Sequence, residues 1–453
     1  MYKRHITQAL ITWSKKPSRK PLIIRGARQV GKTTVVTEFG KRYHLFLRLN
    51  LELKADRDLF EQNYSIHDLI AAIHFHLKQP LSPQRNTLLF IDEIQNSPKA
   101  AAMLRYFYED RNDIHVIVAG SLLETLIHRH VSFPVGRVEY LFMYPLSFSE
   151  YLLAANETQA LNALKQYPCP EFAHTPLLEL FHQYTLIGGM PEAVTAFLKN
   201  KDILASHAVY QNLMIAFMDD VEKYASSKAM AQVIRHAIAH APLASGARIH
   251  FQGFGNSHYK SREMGEALRT LEKAMLVKLV YPTTHLTPPA ELDHKKSPKL
   301  QFLDTGMINY VADLQQYYFT IKDLSTLYLG RIIENIVGQE LLATYPRIRQ
   351  ELKFWVREKP QSHAEIDYVV LFNQYLIPIE VKSGKTGRLK SLMQYMELTP
   401  HTYAVRFYAG KIQTDILQTP SKKSFHLLNL PYYLVGELEQ YLHHLTSNHT
   451  YSA

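Results

Sequence analysis

The stretch "PLIIRGARQVGKTTVVTEF" (21–39) reads as a short apolar strand, a glycine-bounded loop and the opening of a helix. Within it, Gly26-Ala27-Arg28-Gln29-Val30-Gly31-Lys32-Thr33 satisfies the phosphate-loop pattern in full, and the strand–loop–helix setting that gives the pattern meaning lies on either side. Physical chemistry accounts for the residue types. Gly26 and Gly31 let the backbone curl so that consecutive N–H groups face phosphate oxygens. The helix N-terminus adds its partial positive charge at the same point. Lys32 can reach the β- and γ-phosphates, and the Thr33 hydroxyl can complete the coordination of Mg²⁺. Thr34 closes the expected nucleotide-contacting run, and ATP with Mg²⁺ is the expected ligand. The bland alternative is a glycine turn before a surface helix. With glycine at about 7% of average composition, a full match to this pattern seldom arises by chance.

A second apolar strand, "TLLFIDEIQ" (87–95), ends in Asp92-Glu93. Asp92 is placed to hold Mg²⁺ through water, and Glu93 is the natural residue to polarise an attacking water. Two adjacent carboxylates seldom end a buried strand unless a cation offsets their repulsion. A third strand, "DIHVIVAGS" (113–121), ends in Ser121. Its hydroxyl would either sense the γ-phosphate or cap the helix that follows.

With these endings, and with "GRVEYLFMYPLSFSEYL" (136–152), "GGMPEAV" (188–194), "FLDTGM" (302–307) and "IEVKSG" (379–384), the chain resembles the AAA-type ATPases. More narrowly, it resembles the prokaryotic group in which such an ATPase precedes a C-terminal domain of unknown function. The resemblance covers nearly the whole chain. It implies an α/β P-loop domain over 1–175, a helical lid over 176–225 and a winged-helix segment over 226–290. A restriction-endonuclease-like α/β domain over 291–453 would follow. It also places Arg137 where the group carries an arginine that can reach nucleotide, often in a neighbouring subunit of a homo-oligomer. The other reading of Arg137 is a pair with a surface carboxylate. A lid-helix arginine is not apparent in "LIGGMPEAV", a departure that bears on a ring-forming cycle.

In the middle region, apolar residues recur at helical spacing from Pro176 to about Ala225, broken at Gly188-Gly189 and Pro191. The stretch "SHYKSREMGEALRTLEKAMLVKLVYPTT" (257–284) reads as a turn, a polar-faced helix and a short strand. Lys260, Arg262 and Arg269 would face a DNA groove if that helix reads DNA; otherwise the helices join the larger domains.

The last region carries the second chemical pattern. A helix "LYLGRIIENIVGQELLATY", strands "ELKFWVRE", "EIDYVVLF" and "LIPIEVKSG", a helix "LKSLMQYMEL" and a strand "TYAVRFYAG" follow in order. This is the core order of the restriction-endonuclease-like fold, whose site needs an acid on the second strand and acid–x–Lys on the third. Asp367 and Glu380-Val381-Lys382 supply that set. Strand alternation puts Glu380 and Lys382 on one face, with Val381 turned into the core. Glu334 resembles the additional acid of many members. The carboxylates Glu334, Asp367 and Glu380 would hold Mg²⁺, and Lys382 would act on a scissile phosphate. Lys385, Arg388 and Lys390 would grip the backbone. The competing reading is a binding-only fold that has kept these residues.

Composition narrows the classes. The chain has 453 residues, 46% of them hydrophobic and 20% charged, as in an ordinary folded protein of several domains. Its net charge of +10 favours an acidic partner, DNA first. Cys169 is the one cysteine, so neither a disulfide framework nor a thiolate metal cluster is expected. The N-terminal apolar stretch is too short for a signal peptide, and nowhere do about 18 apolar residues run together. A cytoplasmic protein without membrane spans is expected. The combined reading is an ATPase coupled to a DNA-binding, metal-dependent nuclease-like domain. The alternative is a nucleotide-gated scaffold or regulator that binds DNA or protein and cleaves nothing.

Overall fold

The apolar runs that flank the phosphate loop become strands of one sheet. In the computed structural model, residues 2–80, 86–120, 136–314, 327–345, 352–359, 362–384 and 389–447 are described. Strands β1 (Leu22–Arg25), β2 (Leu45–Asn50), β3 (Thr87–Asp92), β4 (Ile114–Gly120) and β5 (Glu139–Phe142) form a sheet in the order β2-β3-β4-β1-β5. Every pairing is parallel. All six residues of β3 are buried, which is why this strand reads as an unbroken apolar run and not as an alternating one. Helices Ile66–His76 and Pro98–Glu109 pack their apolar faces onto this sheet through Leu69, Ile73, Leu104 and Phe107. The second of these helices starts where Ser97 accepts a hydrogen bond from the Ala100 N–H, with Pro98 in the first turn. The carboxyl ends of β1 and β3 lie at one edge of the sheet, where a parallel α/β sheet binds its ligands.

The chain divides into two compact units, residues 1–144 with 273–275, and residues 145–272 with 276–453. The division at 144/145 falls inside the 1–175 segment expected as one domain. Residues 145–175 and the expected lid over 176–225 therefore belong to the same unit as the C-terminal strands.

In that second unit, helix Phe148–Ala154 opens with a full capping box between Ser147 and Glu150. Helices His174–Ile187, Pro191–Asn200 and Ala205–Asp220 follow. Two motifs far apart in sequence meet here. The Asp304 carboxylate of "FLDTGM" accepts hydrogen bonds from the Gly189 N–H of "GGMPEAV" at 2.6 Å, from the Gly306 N–H at 3.0 Å and from the Tyr210 hydroxyl at 2.8 Å. Gly188 sits at φ +82°, and a Cβ there would lie 2.2 Å from Asp304 Oδ1, so both the conformation and the space require glycine.

Helix Lys228–His240, helix Ser261–Lys273 and strand β6 (Val277–Val280) occupy the expected winged-helix segment. Met264, Leu268 and Leu271 bury one face of the second helix, while Arg262 and Arg269 are exposed on the other beside Glu263 and Glu266. Beyond β6, Pro282–Thr283 forms the short β7. Strand β8 (Lys299–Phe302) then pairs antiparallel with β6, Val277 opposite Phe302 and Val280 opposite Lys299. That pairing crosses the expected 290/291 boundary, because a hairpin is defined by its partner strand and the linking stretch 284–298 hides the partner in sequence.

The remaining strands are β9 (Lys353–Lys359), β10 (Ser362–Phe372), β11 (Tyr375–Val381), β12 (Tyr403–Tyr408), β13 (Gln413–Gln418) and β14 (Ser424–Pro431). With β7 they form a mixed sheet in the order β13-β14-β12-β11-β10-β9-β7. Helices Leu327–Thr344 and Lys390–Leu398 fall at the expected places in the helix–strand–strand–strand–helix–strand order. One expected detail is reversed. Glu380 is buried and Val381 is half-exposed, since β11 is covered on both faces and its alternation does not separate core from solvent. Among the described residues, no helix is long and apolar enough to cross a membrane.

Candidate functional site

The phosphate loop spans the end of β1 and the start of helix Lys32–Gly40. Gly31, the residue before that helix, has φ 97°, a left-handed conformation that turns the chain into the first helical turn. Arg4 clamps the loop from the N-terminal segment, its guanidinium donating to the Val30 carbonyl at 2.9 Å and the Tyr144 carbonyl at 2.6 Å. Lys32 is buried, with Nζ donating to the Gly26 and Ala27 carbonyls at 2.9 and 2.8 Å. Burial pushes its ammonium down to about 8, against the opposing pull of Glu93 and Asp92.

The second strand brings its acids to the same point. Thr33 Oγ1 donates to Asp92 Oδ2 at 2.8 Å, so the two groups expected to share Mg²⁺ are in direct contact. Burial raises the Asp92 carboxyl above its usual range, opposed by the Thr33 hydroxyl. Arg48 on β2 approaches Asp92 Oδ2 at 3.5 Å. Glu93 has φ 53°, an uncommon conformation for a side chain of this kind, and the Gln95 amide donates to its carboxylate. A non-glycine residue held in the left-handed region costs on the order of 1–3 kcal/mol and persists where the surroundings enforce it. The donor set suits a triphosphate with Mg²⁺: one ammonium, one hydroxyl, one carboxylate beside it, and a second carboxylate close enough to act on both Lys32 and Asp92.

The second cluster lies at the β10–β11 pair. The structure brings Glu334, Asp367, Glu380 and Lys382 together, with two residues that motif spacing did not single out. Lys299 Nζ, on β8, lies 2.7 Å from Glu334 Oε1, 2.9 Å from Glu365 Oε1 and 3.3 Å from Asp367 Oδ1. A register shift in β10 between Ile366 and Val369 brackets Asp367, and bulges of this kind re-aim side chains. Asp367 Oδ2 accepts from the Val381 N–H at 2.8 Å. Lys382 Nζ donates to Glu380 Oε1, while the buried Glu380 Oε2 has no hydrogen-bond partner. Burial alone would lower the Lys299 ammonium, yet Glu334, Asp367 and Glu365 hold it well above its ordinary value. Burial raises Glu380, and Asp367 beside it adds to the shift.

The expected Mg²⁺ among Glu334, Asp367 and Glu380 does not fit this arrangement. Lys299 already takes one oxygen each of Glu334 and Asp367, and Lys382 takes one of Glu380. Among the described residues, no group of three or more His, Cys, Asp or Glu side chains is set to hold a metal. Lys385 and Arg388 lie outside the described residues, and Lys390 is exposed at the start of its helix.

Residues 18–152 match the model of an AAA domain family. The N-terminal third carries an AAA-type domain. Residues 178–318 and 329–433 match two families described as domains of unknown function, DUF8612 and DUF4143. No curated protein matches the sequence. Similar solved structures include a Walker-type ATPase of Pyrococcus abyssi, at 12% identity over 69% of this chain and 96% of that chain, with a TM-score of 0.46. The Aeropyrum pernix ORC1 protein in complex with DNA is 12% identical over 68% of this chain and 90% of that chain, with a TM-score of 0.28. AMPPCP-bound DnaA from Aquifex aeolicus is 11% identical over 60% of this chain and 86% of that chain, with a TM-score of 0.26. Scores this low do not establish a shared whole-chain arrangement.

Two expected residues of the AAA-type domain remain to be placed. Arg137 is half-exposed, donates through Nε to Glu109 Oε1 at 2.9 Å and lies over the Tyr108 ring. Within one chain it is therefore a surface pair. Ser121 lies outside the described residues. Arg4, Arg48 and Gln95 of this domain were not singled out in sequence. Gln95 alone carried a signal, as the residue two places after Glu93; the arginines lie too far from the loop in sequence to be connected to it.

Proposed function

We propose that this protein binds and hydrolyses ATP with Mg²⁺ and uses the cycle to control how its C-terminal unit engages an acidic partner, DNA first. The observation that carries the reading is the Lys32–Thr33–Asp92–Glu93 constellation around the phosphate loop. Mg²⁺, when bound, would neutralise charge on the β- and γ-phosphate oxygens. Thr33 and Asp92 would hold it. Lys32 would turn from the loop carbonyls to the phosphates, and the backbone N–H groups from Gly26 to Thr34 would face the same oxygens. Glu93 would take a proton from the attacking water. Arg137, exposed at the domain surface, would contribute only if a second copy met its face.

The non-cleaving reading of the C-terminal unit is favoured by Lys299 among the carboxylates. On this view the unit is a scaffold or regulatory module that binds DNA or protein. A cytoplasmic setting, where ATP is plentiful, accords with this function.

Two measurements test the reading. The first is ATP affinity against pH. The Lys32 ammonium, pushed down to about 8 by burial, loses its proton as pH rises through that value. Affinity is expected to be level below pH 7 and to fall by up to about tenfold per pH unit above 8, with proton uptake on binding. Calorimetry in buffers of different ionisation enthalpy reads both, and a flat profile to pH 9.5 would remove Lys32 from the phosphate contact. The second is duplex-DNA affinity with and without ATP, from about 50 to 200 mM salt. A log–log slope near −0.9 per phosphate contacted is expected, and ATP should change the affinity. Salt-independent binding would move the partner from nucleic acid to protein.

A further inference from the structure

Buried carboxylates need a cation, and the C-terminal unit supplies its own. We propose that the Lys299 ammonium is a built-in replacement for a divalent ion, so that the carboxylate cluster at β10–β11 binds no metal while that ammonium is in place and becomes a metal site only when it is removed. An ammonium carries three N–H donors and no acceptor. Three carboxylates, from helix Leu327–Thr344 and from β10, present oxygens to it at 2.7, 2.9 and 3.3 Å. The donor count and the acceptor count match.

The ammonium cannot readily give way to a competing ion. Its side chain is 6% exposed and lies 5.1 Å above the centroid of the Phe354 ring, an added attraction in a desolvated setting. Lys299 sits on a strand whose backbone is paired to β6, which fixes where the side chain starts. Mg²⁺ would need the same oxygens at about 2.0–2.1 Å, which would put a dication within a few ångströms of Nζ. The repulsion would outweigh what the remaining oxygens return.

The cluster nonetheless keeps the makings of an ion site. It holds four carboxylates, Glu334, Glu365, Asp367 and Glu380, against the ammoniums of Lys299 and Lys382 and the Arg248 guanidinium, which reaches Glu365 Oε2 at 3.9 Å. Glu380 is 5% exposed and its Oε2 is buried without a hydrogen-bond partner. Deleting Lys299 would leave these groups around a space the size of its head group, with one positive charge fewer. The inference does not depend on the nucleotide reading, because neither its residues nor its test uses the phosphate loop.

Mn²⁺ binding to the nucleotide-free full-length chain, followed by electron paramagnetic resonance of free Mn²⁺, is the test. Wild type and Asp367→Asn should titrate alike, showing no site at the cluster. Lys299→Ala should gain a site at least about tenfold tighter than any that wild type shows, and the double variant Lys299→Ala/Asp367→Asn should lose it. Melting of Lys299→Ala should shift upward with Mn²⁺, while wild type does not move beyond the response of Asp367→Asn. A wild-type Mn²⁺ site that Asp367→Asn abolishes would overturn the proposal, and so would a folded Lys299→Ala protein that gains none. Should Lys299→Ala fail to fold even with Mn²⁺ present, the comparison of wild type with Asp367→Asn still decides.

Discussion

Glu93→Gln protein is expected to bind ATP as wild type does and to release phosphate at least about a hundredfold more slowly, the span usual for loss of a positioned general base. The substitution keeps the size and one acceptor oxygen of the side chain while removing the basic site. Asp92, which touches Thr33 at 2.8 Å, is left to its place beside the metal. Glu93 has its own left-handed backbone, φ 53°, and its carboxylate is held by the Gln95 amide, whereas Asp92 is held by Thr33. Because the Glu93 charge also helps keep Lys32 protonated, affinity is compared below pH 7, where that ammonium holds its proton and the phosphate contacts should be unchanged. Lys32→Ala is the contrasting variant: it removes the ammonium that the phosphates would need and should abolish binding and turnover together. Nucleotide affinity and phosphate release, measured on both proteins, separate the roles. Turnover in Glu93→Gln equal to wild type would give the base to another residue. Loss of binding in Glu93→Gln would point to a structural role for the strained turn.

How much of this was legible in sequence follows from how local each feature is. The phosphate-loop pattern is eight consecutive residues, Gly26 to Thr33, and its signal needs only them and the strand and helix on either side. Asp92-Glu93 ends an apolar run, so the strand and its chemistry could be read at once. The order of elements from Leu327 to Tyr408 was equally open, because each helix and strand has its own period. Lys299 was not. It stands 35 residues before Glu334 and 68 before Asp367, in a strand that pairs with β6 and not with the sheet carrying the acids. A lysine at the start of "KLQFLDTGM" looks like a solvated strand end until the acids are brought to it. Acid–x–Lys spacing finds carboxylates that share a face; it cannot find the charge that already neutralises them.

The same limit explains the middle of the chain. "GGMPEAV" and "FLDTGM" are conspicuous in sequence, and such motifs invite a functional reading. The structure gives both a packing role: Gly188 makes room for the buried Asp304 carboxylate, and Gly189 and Gly306 allow close approach of Leu146 and of Ile187 and Tyr210. Pattern recognises that residues are constrained but is silent on whether the constraint is a ligand or a neighbour.

That buried carboxylate should be among the most costly to remove. Asp304 is fully buried and satisfies the Gly189 and Gly306 N–H groups and the Tyr210 hydroxyl. Asp304→Ala leaves the Gly189 and Gly306 N–H groups without an acceptor, while the Tyr210 hydroxyl keeps the Ile187 carbonyl at 2.5 Å; at roughly 1–3 kcal/mol each, a loss of about 2–5 kcal/mol is expected. Domain stabilities run about 5–15 kcal/mol, and such a loss would bring the second unit near unfolding. Asp304→Asn keeps one acceptor and turns an amide N–H toward a donor, so it should fall between. The pH dependence has a definite sign. Burial raises the Asp304 carboxyl from 3.8 to about 6, so between those values the folded state holds a proton that the unfolded state has released. Its contribution is full below about pH 4, declines as pH rises through 6 and is absent above, a trend that Asp304→Asn should lack. The chain has two tryptophans, Trp13 in the first unit and Trp355 in the second. In a Trp13→Phe background, the emission of Trp355 during urea unfolding reports the second unit alone, which avoids treating two units as one transition. A shift below about 1 kcal/mol for Asp304→Ala would mean that water or a relaxed backbone satisfies those donors, and the two motifs would then need another reason to meet.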